Sequence, residues 1–316
     1  MVSPVGQIAG MSSKILVVGR TGQVAHELRR AAWPAGFVVE FLERPQIDLA
    51  RLDEARDVVL SMRPSLVVNA AAYTAVDAAE ADRDTAFAVN RDGPAVLADT
   101  CREIGAALIH YSTDYVFDGA QPGAYVEDDP VCPLSVYGAS KAEGDSAIGA
   151  RLDRHVILRT SWVYSPVGHN FVKTMLRLGA ERDRLGIVDD QRGSPTAAAD
   201  IAAATIAICA ALAGGREDGF GTFHFCGGGT TSWHGFARAI FAGAAERGLQ
   251  TPRAVEPIAS EAYPTPAPRP RNSRLDCGKI ARVYGIIAPP WQESLSGCLN
   301  EIVAALPEPA VAEGAL

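Results

Sequence analysis

The first half of the chain alternates short apolar runs, rich in β-branched residues, with longer segments whose apolar positions recur at helical spacing. This alternation predicts parallel strands joined by helical crossovers, so the fold class is α/β with a doubly wound parallel sheet. The runs are apolar at nearly every position, which indicates that helices cover both faces of the sheet. The predicted strands are residues 15–18, 38–42, 66–69, 107–111 and 156–159.

After Arg159 the pattern becomes less regular, and we expect a smaller, mixed C-terminal region there. The longest apolar run, 201–213, is too short to span a bilayer and predicts a buried helix. The proline-rich stretch 252–270 cannot supply ladder donors and is expected to be an extended segment on the surface or along a cleft. The residues before Met11 are expected to be a loose extension, and those from Pro307 onward a frayed tail.

Composition narrows the classes of function. With 48% hydrophobic and 21% charged residues the chain resembles ordinary globular proteins, and its net charge of −8 argues against a surface for nucleic acid or anionic lipid. The first dozen residues lack the basic start and sustained apolar core of a secretory signal. The cysteines include no CxxC pair and no histidine at metal-ligand spacing, which favours reduced thiols and a cytoplasmic location. They are Cys101, Cys132, Cys209, Cys226, Cys277 and Cys298.

A glycine-rich turn follows the first predicted strand. From Gly19 to Ala25 the chain reads GRTGQVA and then continues directly into a helical pattern. Glycines at such a turn let the backbone approach a pyrophosphate, whose charge is met by backbone N–H groups and the positive end of the helix dipole. This pattern predicts a Rossmann dinucleotide site with Gly22, Gln23 and Val24 nearest the phosphates. Ala25 stands in the place of the third glycine, where close helix packing tolerates it.

The ends of the second and third strands offer further cofactor contacts. Glu43 would accept hydrogen bonds from the adenosine ribose of NADH, whereas Arg44 would pair with the 2′-phosphate of NADPH, so the sequence leaves the choice of cofactor open. Asp48 and Leu49 follow at positions suited to the adenine, and Asn90 in a later helix is placed to brace the loop after the third strand. That loop begins with small side chains, beside which the cofactor can pass, and consists of Ala70, Ala71, Ala72, Tyr73 and Thr74.

The fourth strand ends in the polar string HYSTDY, at the carboxyl edge where open α/β sheets bind ligands. After a loop, Tyr137 and Lys141 lie four residues apart and share one face of a predicted helix. An ammonium near the phenol is expected to lower the pKa of Tyr137 from about 10 and so fit it for proton transfer. Lys141 can also donate to the nicotinamide ribose, and Thr113 would hold a substrate carbonyl while Tyr137 delivers the proton. A YxxxK pair alone is a weak signal, but here it follows the glycine turn and the polar strand end in the expected order.

Several longer strings make the pattern much more specific. They are GRTGQV, NAAAYTAVDAAE, HYSTDYVFDG, PLSVYGASKAEGD, RTSWVY, NFVKTMLRL, DDQRGSPT, GGTTSWH and YPTPAPRPRNSRLD. Together they resemble the dTDP-4-dehydrorhamnose reductase family of the extended short-chain dehydrogenases/reductases, from Lys14 to about Glu301. The resemblance implies that NADPH or NADH reduces the 4-keto group of dTDP-4-dehydro-L-rhamnose to give dTDP-L-rhamnose, an activated sugar for cell-surface polysaccharide.

The resemblance also implies roles for particular residues. Thr113, Tyr137 and Lys141 would be catalytic, and Thr113, Asp114 and Trp162 would contact the substrate, the indole lying against the apolar face of a sugar ring. The implied cofactor contacts are Gly22, Gln23, Val24, Asp48, Leu49, Ala72, Tyr73, Thr74 and Tyr111. At the end of the proline-rich stretch and just after it, a polar and basic cluster is chemically suited to a nucleotide diphosphate. Its members are Arg269, Asn272 and Arg274.

These assignments predict two interleaved parts. A dinucleotide-binding Rossmann domain would cover residues 12–160, with later strands contributed from about 184–226. A mainly substrate-binding region would cover 161–305. The expected partner is a small nucleotide sugar, with no nucleic acid and no membrane.

One position departs from the family pattern. Some members bridge subunits through a magnesium ion held by glutamates, and the matching positions here are Glu27, Ala199 and Glu301. Ala199 cannot ligate, and Asp200 beside it would point to a different side of its helix. We therefore expect no bound metal and a monomer or weak homodimer.

Two other readings of the same residues stay open. An extended-family epimerase or dehydratase would retain its NAD and use the same tyrosine and lysine, but a dehydratase typically has an Asp-Glu pair where this chain has Asp114 and Tyr115. A non-catalytic Rossmann regulatory subunit, similar to that of methionine adenosyltransferase, would not need an intact Tyr137 and Lys141. The sequence favours a reductase over both.

Overall fold

The computed structural model describes residues 13–306, so the expectations for the N-terminal extension and the C-terminal tail lie outside the described residues. Twelve strands are described: β1 (Ser13–Val18), β2 (Phe37–Leu42), β3 (Leu66–Asn69), β4 (Ala107–Thr113), β5 (His155–Thr160), β6 (Val163–Tyr164), β7 (Arg184–Val188), β8 (Arg192–Gly193), β9 (Thr196–Ala197), β10 (Gly221–His224), β11 (Thr231–Ser232) and β12 (Ala254–Ile258).

The described helices are α1 (Gln23–Arg30), α2 (Leu52–Met62), α3 (Val76–Ala79), α4 (Arg83–Phe87), α5 (Gly93–Ile104), α6 (Val136–Gly149), α7 (Phe171–Glu181), α8 (Ala198–Ala213), α9 (Trp233–Glu246), α10 (Gly278–Tyr284) and α11 (Trp291–Ala304). A π-helical turn, Ala88–Asp92, joins α4 to α5. Short 3₁₀ turns cover Asp114–Val116 and Ser260–Ala262.

The main sheet has six parallel strands in the order β10-β5-β4-β3-β1-β2. All five predicted strands are in it, each with bounds within two residues of those predicted, and the α/β fold class is confirmed. The chain leaves β1 toward β2 on one side and returns to β3 on the other, so the strand order reverses around β1. In such sheets ligands bind in the crevice beyond the carboxyl ends of the strands at this reversal.

Apolar side chains alternate between the two faces of the main sheet, and each face has its own core. On β1, Ile15 and Val17 belong to the core that includes α1, α8 and α10, whereas Leu16 and Val18 belong to the core that includes α2 and α5. All four side chains are at most 1% exposed. The continuous apolar runs of the sequence therefore arise because both faces are covered.

The predicted buried helix over 201–213 is confirmed as α8, which packs against α1. A third core lies in the C-terminal region, where α7, α9 and α11 pack with β7 and β12. The prediction for the proline-rich stretch was partly wrong, because its first part forms β12, which pairs in parallel with β7. Pro257 is accommodated because β12 is one of only two strands in its sheet, so one edge needs no ladder donors.

Among residues 13–306, no helix is both long and apolar enough to cross a membrane. All six cysteines are free thiols, and four of them are buried.

Candidate active site

The glycine turn after β1 leaves the start of α1 open to an anion. Gly19 has φ +110°, and a Cβ there would lie 3.1 Å from the carbonyl carbon of Ala70, so both conformation and space favour glycine. Gly22 is the N-cap of α1, no side chain caps this end, and its first turn carries no acidic residue. The free N–H groups and the positive end of the helix therefore face an uncrowded site suited to a pyrophosphate.

Gln23 connects this turn to the C-terminal region. Its Oε1 accepts hydrogen bonds from the Ser165 hydroxyl at 3.1 Å and from the Asn170 amide at 2.9 Å. Val24 packs against the core on the α1 face of the sheet. The side chain of Gln23 is thus held by protein, and its backbone remains for a ligand.

The residues after β2 lie at the same edge of the sheet. Arg44 is exposed and Glu43 is partly exposed, and both lie in a turn that is closed by the Gln46 amide, which donates to the Glu43 carbonyl at 2.8 Å. Asp48 accepts from the Ala50 amide at 3.0 Å, and Leu49 is buried at 4% exposure. The opposing pair Glu43 and Arg44 therefore remains accessible to a cofactor ribose.

Asn90 lies in the π-helical turn and fixes the loop after β3, as the sequence predicted. Its Oδ1 accepts from the Tyr73 amide at 2.8 Å, and its Nδ2 donates to the Tyr73 carbonyl at 3.0 Å and to the Ser140 hydroxyl at 3.0 Å. Asn90 is 1% exposed. Ala72 and Thr74, on either side of Tyr73, are exposed. One buried amide therefore ties the loop to α6.

Thr113 and Asp114 emerge together where β4 ends. The Thr113 hydroxyl donates to Asp114 at 3.2 Å and accepts from the Tyr115 amide at 3.1 Å. Burial raises the pKa of Asp114 to about 7, while hydrogen bonds from Ser273 and Thr113 oppose the rise. Its Oδ2 has no hydrogen-bond partner within residues 13–306. A carboxyl group that can change its protonation near neutrality thus lies beside the threonine.

Tyr137 and Lys141 share one face of α6, as predicted. Ser135 caps the helix by accepting from the Gly138 amide at 3.1 Å, and the edge of Tyr115 packs against the ring of Tyr137 with centroids 5.8 Å apart. The expected fall in the tyrosine pKa is wrong for this structure. Burial raises the pKa of Tyr137 to about 12, although an interaction with the Thr113 hydroxyl lowers it. Tyr137 is therefore protonated throughout the neutral range.

Lys141 is buried at 2% exposure and lies over the end of β4. Its Nζ donates to the Tyr111 carbonyl at 2.6 Å and lies 2.9 Å from Nε2 of His110. Burial lowers the pKa of Lys141 to about 8, and the charge of Asp145 opposes this. The side chain of Tyr111 turns away from the lysine, with its hydroxyl 2.7 Å from that of Thr205 in α8.

A buried ion pair joins α6 to β5. Arg159 at the end of β5 donates to Asp145 at 3.1 Å, and the Ser112 hydroxyl donates to the same carboxylate oxygen at 2.8 Å. Both charged residues are 6% exposed. Burial raises the pKa of Asp145, against the charges of Arg159 and Lys141. The pair therefore holds α6 in place rather than adding much net stability.

Trp162 has a positive φ of +48°, rare for an aromatic residue. Its indole stacks on that of Trp233, with ring centroids 3.6 Å apart and planes at 9°. A Cβ on Gly193 would lie 2.5 Å from the Trp162 ring, so glycine makes room for the stack. Such backbone strain persists where the surroundings fix it, often at ligand sites.

The cluster of Arg269, Asn272 and Arg274 is engaged by protein atoms. Arg269 forms two parallel hydrogen bonds to Asp77, at 2.9 and 2.8 Å, which hold the pKa of that carboxyl below its usual range. Asn272 donates to the carbonyls of Gln121 and Gly123, and Arg274 donates to Asn272 at 2.8 Å. Arg269 therefore holds the segment at Asp77, and Asn272 and Arg274 hold the loop at residues 121–123.

An arginine lies between the two glutamates at the positions that match the family's magnesium ligands. Arg30 forms ion pairs with both Glu27, at 3.5 Å, and Glu301. A guanidinium thus supplies the positive charge between the two carboxylates. Ala199 is exposed, and Asp200 accepts from the Ser294 hydroxyl at 2.6 Å. Within the described part of the chain, no group of three or more His, Cys, Asp and Glu side chains could hold an ion.

Sequence reasoning did not single out four residues that the structure adds to this site: His110, Asp145, Arg159 and Trp233. All four carried a signal, since each lies in a string that carries the family resemblance: His110 in HYSTDYVFDG, Asp145 in PLSVYGASKAEGD, Arg159 in RTSWVY and Trp233 in GGTTSWH. The strings do not show that Asp145 and Arg159 form a pair, because that contact joins α6 to β5.

Comparison with known proteins agrees with the fold. The family described as RmlD substrate binding domain matches residues 13–304. The dTDP-4-dehydrorhamnose reductase of Sinorhizobium fredii is 46% identical over 89% of this chain and 95% of its own length, and that of Escherichia coli K12 is 40% identical over 91% and 97%.

Solved structures give the same result. A dTDP-4-dehydrorhamnose reductase from Clostridium acetobutylicum superposes with a TM-score of 0.84 at 35% identity, covering 91% of this chain and 98% of its own. One from Bacillus anthracis in complex with NADP has a TM-score of 0.83 at 33% identity, covering 92% and 100%. With the glycine turn, Thr113, Tyr137 and Lys141 in place, the chain belongs to the dTDP-4-dehydrorhamnose reductase family of extended short-chain dehydrogenases/reductases.

Proposed function

We propose that this protein reduces the 4-keto group of dTDP-4-dehydro-L-rhamnose to give dTDP-L-rhamnose, with NAD(P)H as the reductant and Tyr137 as the proton donor. The observation that carries the proposal is the placement of Thr113, Tyr137 and Lys141 at one sheet edge, beside the open helix start at Gly22. Of the later strands expected from about 184–226, only β10 joins the main sheet. The sugar nucleotide would bind between the dinucleotide-binding part, 12–160 with β10, and the rest of the region 161–305.

The side chains divide the chemistry among them. Bound NAD(P)H would supply the hydride. The Thr113 hydroxyl donates to Asp114 in this structure. When substrate binds, it would donate to the substrate ketone instead and so orient that carbonyl. Tyr137, protonated at neutral pH, would give its proton to the oxygen as negative charge develops there. Lys141 would donate to the nicotinamide ribose, which its bond to the Tyr111 carbonyl leaves it free to do.

Other residues would select and hold the sugar nucleotide. The stacked Trp162 and Trp233 present an apolar surface suited to one face of a deoxysugar ring. Asp114 would accept a hydrogen bond from a sugar hydroxyl through its unpartnered Oδ2. Arg269 uses three of its five N–H donors on Asp77 and the Ala267 carbonyl, so two remain for a diphosphate.

The function is tested by following the absorbance of reduced cofactor with dTDP-4-dehydro-L-rhamnose. Stoichiometric consumption of NADPH or NADH supports the reductase. Turnover of nucleotide sugar without net consumption would instead identify an epimerase or dehydratase, and binding without turnover a regulatory subunit.

We expect NADPH and NADH to be used within about tenfold of each other, because Glu43 and Arg44 favour opposite cofactors. A charged hydrogen bond contributes roughly 1.5–3 kcal/mol. The substitution Arg44→Ala should therefore weaken the binding of NADPH by about tenfold and leave the binding of NADH almost unchanged. Fluorescence titration gives the dissociation constants of both cofactors for the wild type and the variant. The paired variant is Glu43→Ala, which is expected to weaken the binding of NADH. Equal weakening of both cofactors by Arg44→Ala would show that Arg44 does not reach the 2′-phosphate.

We also expect turnover and association state to be independent of divalent metal, because Arg30 already lies between Glu27 and Glu301 and Ala199 offers no ligand. Initial rates and sedimentation are compared with EDTA and with added Mg²⁺. A change from dimer to monomer on chelation, or a rise in rate of more than about twofold with Mg²⁺, would contradict this, since Mg²⁺ can bind through one or two carboxylates.

A further inference from the structure

Two cysteines that are distant in the sequence meet beside the end of the main sheet. Cys226 follows the last residue of β10 by two positions, and Cys277 immediately precedes α10. Their Sγ atoms lie 3.5 Å apart, although the two residues are 51 positions apart along the chain. The carbonyl oxygen of Leu275 lies 3.8 Å from the first sulfur and 3.9 Å from the second. The fold therefore brings two free thiols into direct contact.

The two elements that carry these thiols are already held side by side. Nζ of Lys279 in α10 donates to the Thr222 carbonyl in β10 at 2.9 Å, and the rings of Phe223 and Tyr284 pack edge to face with centroids 5.4 Å apart. The side chain of Cys277 caps no N–H group of α10, so it can rotate without breaking a helix cap. The sulfurs of a disulfide are about 2.05 Å apart, so closing the bond needs an approach of only roughly 1.5 Å.

The contact also makes the thiols more reactive than an isolated buried cysteine. Burial alone raises the pKa of the Cys101 thiol to about 12, which keeps that thiol protonated and inert. The hydrogen bond with Cys277 instead lowers the pKa of Cys226, because a thiolate on one sulfur accepts the S–H of the other. Cys226 is buried at 5% exposure, whereas Cys277 is partly exposed. A small oxidant can therefore reach the pair from the side of Cys277.

We propose that Cys226 and Cys277 form a site of reversible oxidation, at which hydrogen peroxide joins them in a disulfide between β10 and α10. One thiolate attacks a peroxide oxygen, the O–O bond breaks, and the sulfur becomes a sulfenic acid as hydroxide leaves. The other sulfur attacks the sulfenic sulfur, forms the S–S bond and expels a second hydroxide. The protons of the two thiols convert both hydroxides to water.

The balance of the reaction is complete with one peroxide. Two thiols and one hydrogen peroxide give one disulfide and two waters, so the sulfurs lose the two electrons that the peroxide gains. A dithiol reductant reverses the step by thiol–disulfide exchange. Cysteines that form disulfides in reducing compartments are usually transient and redox-sensing, which is the behaviour we propose for this pair.

The disulfide would lie near Asp114, a residue of the candidate active site. The hydroxyl of Ser273, four positions before Cys277, donates to Asp114, and the Ser273 amide donates to the Arg192 carbonyl at 2.7 Å. A bond from Cys277 to the end of β10 would restrain this segment at its other end. The proposal concerns the thiols alone, so it holds whether or not the keto sugar is the substrate.

Oxidation is tested on the folded, full-length chain. Reduced protein is treated with hydrogen peroxide in native buffer, then alkylated in denaturant and digested with trypsin without reductant. Cys226 lies in the tryptic peptide 217–238 and Cys277 in the peptide 275–279, and each peptide has a single cysteine. We expect these two peptides to be linked, with the remaining cysteines alkylated and one peroxide consumed per disulfide. Dithiothreitol should return all six thiols.

Variants show whether the link is specific. Cys277→Ser should abolish the link, and Cys132→Ser is the matched control, since Cys132 is exposed and should leave the link intact. Unlinked peptides after peroxide, a link that forms only when peroxide is added in denaturant, or a link to Cys132 would overturn the proposal. Should Cys277→Ser fail to fold, the peptide map of the wild type decides alone.

Thermal unfolding of the oxidised and reduced wild type tests the geometry independently. The disulfide would close a loop of 51 positions and so restrict the unfolded chain. We expect the midpoint of unfolding to rise by roughly 5 °C or more on oxidation and to fall back on reduction. Peroxide-treated Cys277→Ser should show no rise. A lower midpoint in the linked wild type would mean that the bond pulls β10 and α10 out of their native contact, and would overturn the premise that the sulfurs need only a small approach.

Discussion

Replacing Tyr137 by phenylalanine is expected to lower turnover of dTDP-4-dehydro-L-rhamnose by about a hundredfold or more. General acid catalysis contributes typically 10²–10⁴-fold, and the substitution removes the hydroxyl while the ring still packs edge-on against Tyr115. Cofactor affinity should remain nearly unchanged, because Lys141 and the glycine turn are untouched. Steady-state kinetics and a cofactor titration on the same preparation separate the two effects.

Tyr115→Phe provides the matched control, since Tyr115 lies in contact with Tyr137 and burial also raises the pKa of its hydroxyl. We expect it to retain turnover within a few-fold. If the turnover of Tyr137→Phe fell by less than a few-fold, or if the turnover of Tyr115→Phe fell as much as that of Tyr137→Phe, Tyr137 would not be the proton donor.

The main sheet was predictable because its signal is local. Strands buried on both faces must be apolar at successive positions, so β1 and β3 are visible as uninterrupted runs. Strand β10 has no such run, since Gly221–His224 reads GTFH and pairs only with β5 at the edge of the sheet. The sequence predicted only that later strands of the sheet come from about 184–226, without giving bounds for β10. The strand β12 was missed because its proline suggested a segment without pairing.

The site was most directly predictable where its residues share an element. Tyr137 and Lys141 lie on one helix, and their spacing of four alone places them together. Asn69 and His110 are 41 positions apart, and only the pairing of β3 with β4 makes them neighbours. The bond from Arg269 to Asp77 spans 192 positions. The pKa of Tyr137 was misjudged for the same reason, because burial by distant elements raises it while Lys141 is directed toward His110 and the Tyr111 carbonyl.

The contact between α6 and the π-helical turn leads to a further prediction. A Cβ on Gly144 would lie 2.1 Å from the backbone oxygen of Asn90, closer than any real contact allows. Gly144→Ala must therefore push α6 away from the turn, and overpacking of this kind costs typically 1–3 kcal/mol. We expect the free energy of unfolding to fall by about this amount in urea titrations.

The same displacement should reach the active site, because Asn90 holds the Tyr73 backbone and the Ser140 hydroxyl of α6. Moving either element changes the placement of Tyr137 relative to the cofactor loop, and small misplacements in an active site can reduce rates about a hundredfold. Gly149→Ala in the same helix is the control, since its Cβ would meet nothing nearer than 4.0 Å. That variant should keep full turnover and gain up to about 1 kcal/mol, because alanine restricts the unfolded chain. A Gly144→Ala protein as stable and active as Gly149→Ala would mean that the two elements can separate without consequence, and that the close approach does not position the site.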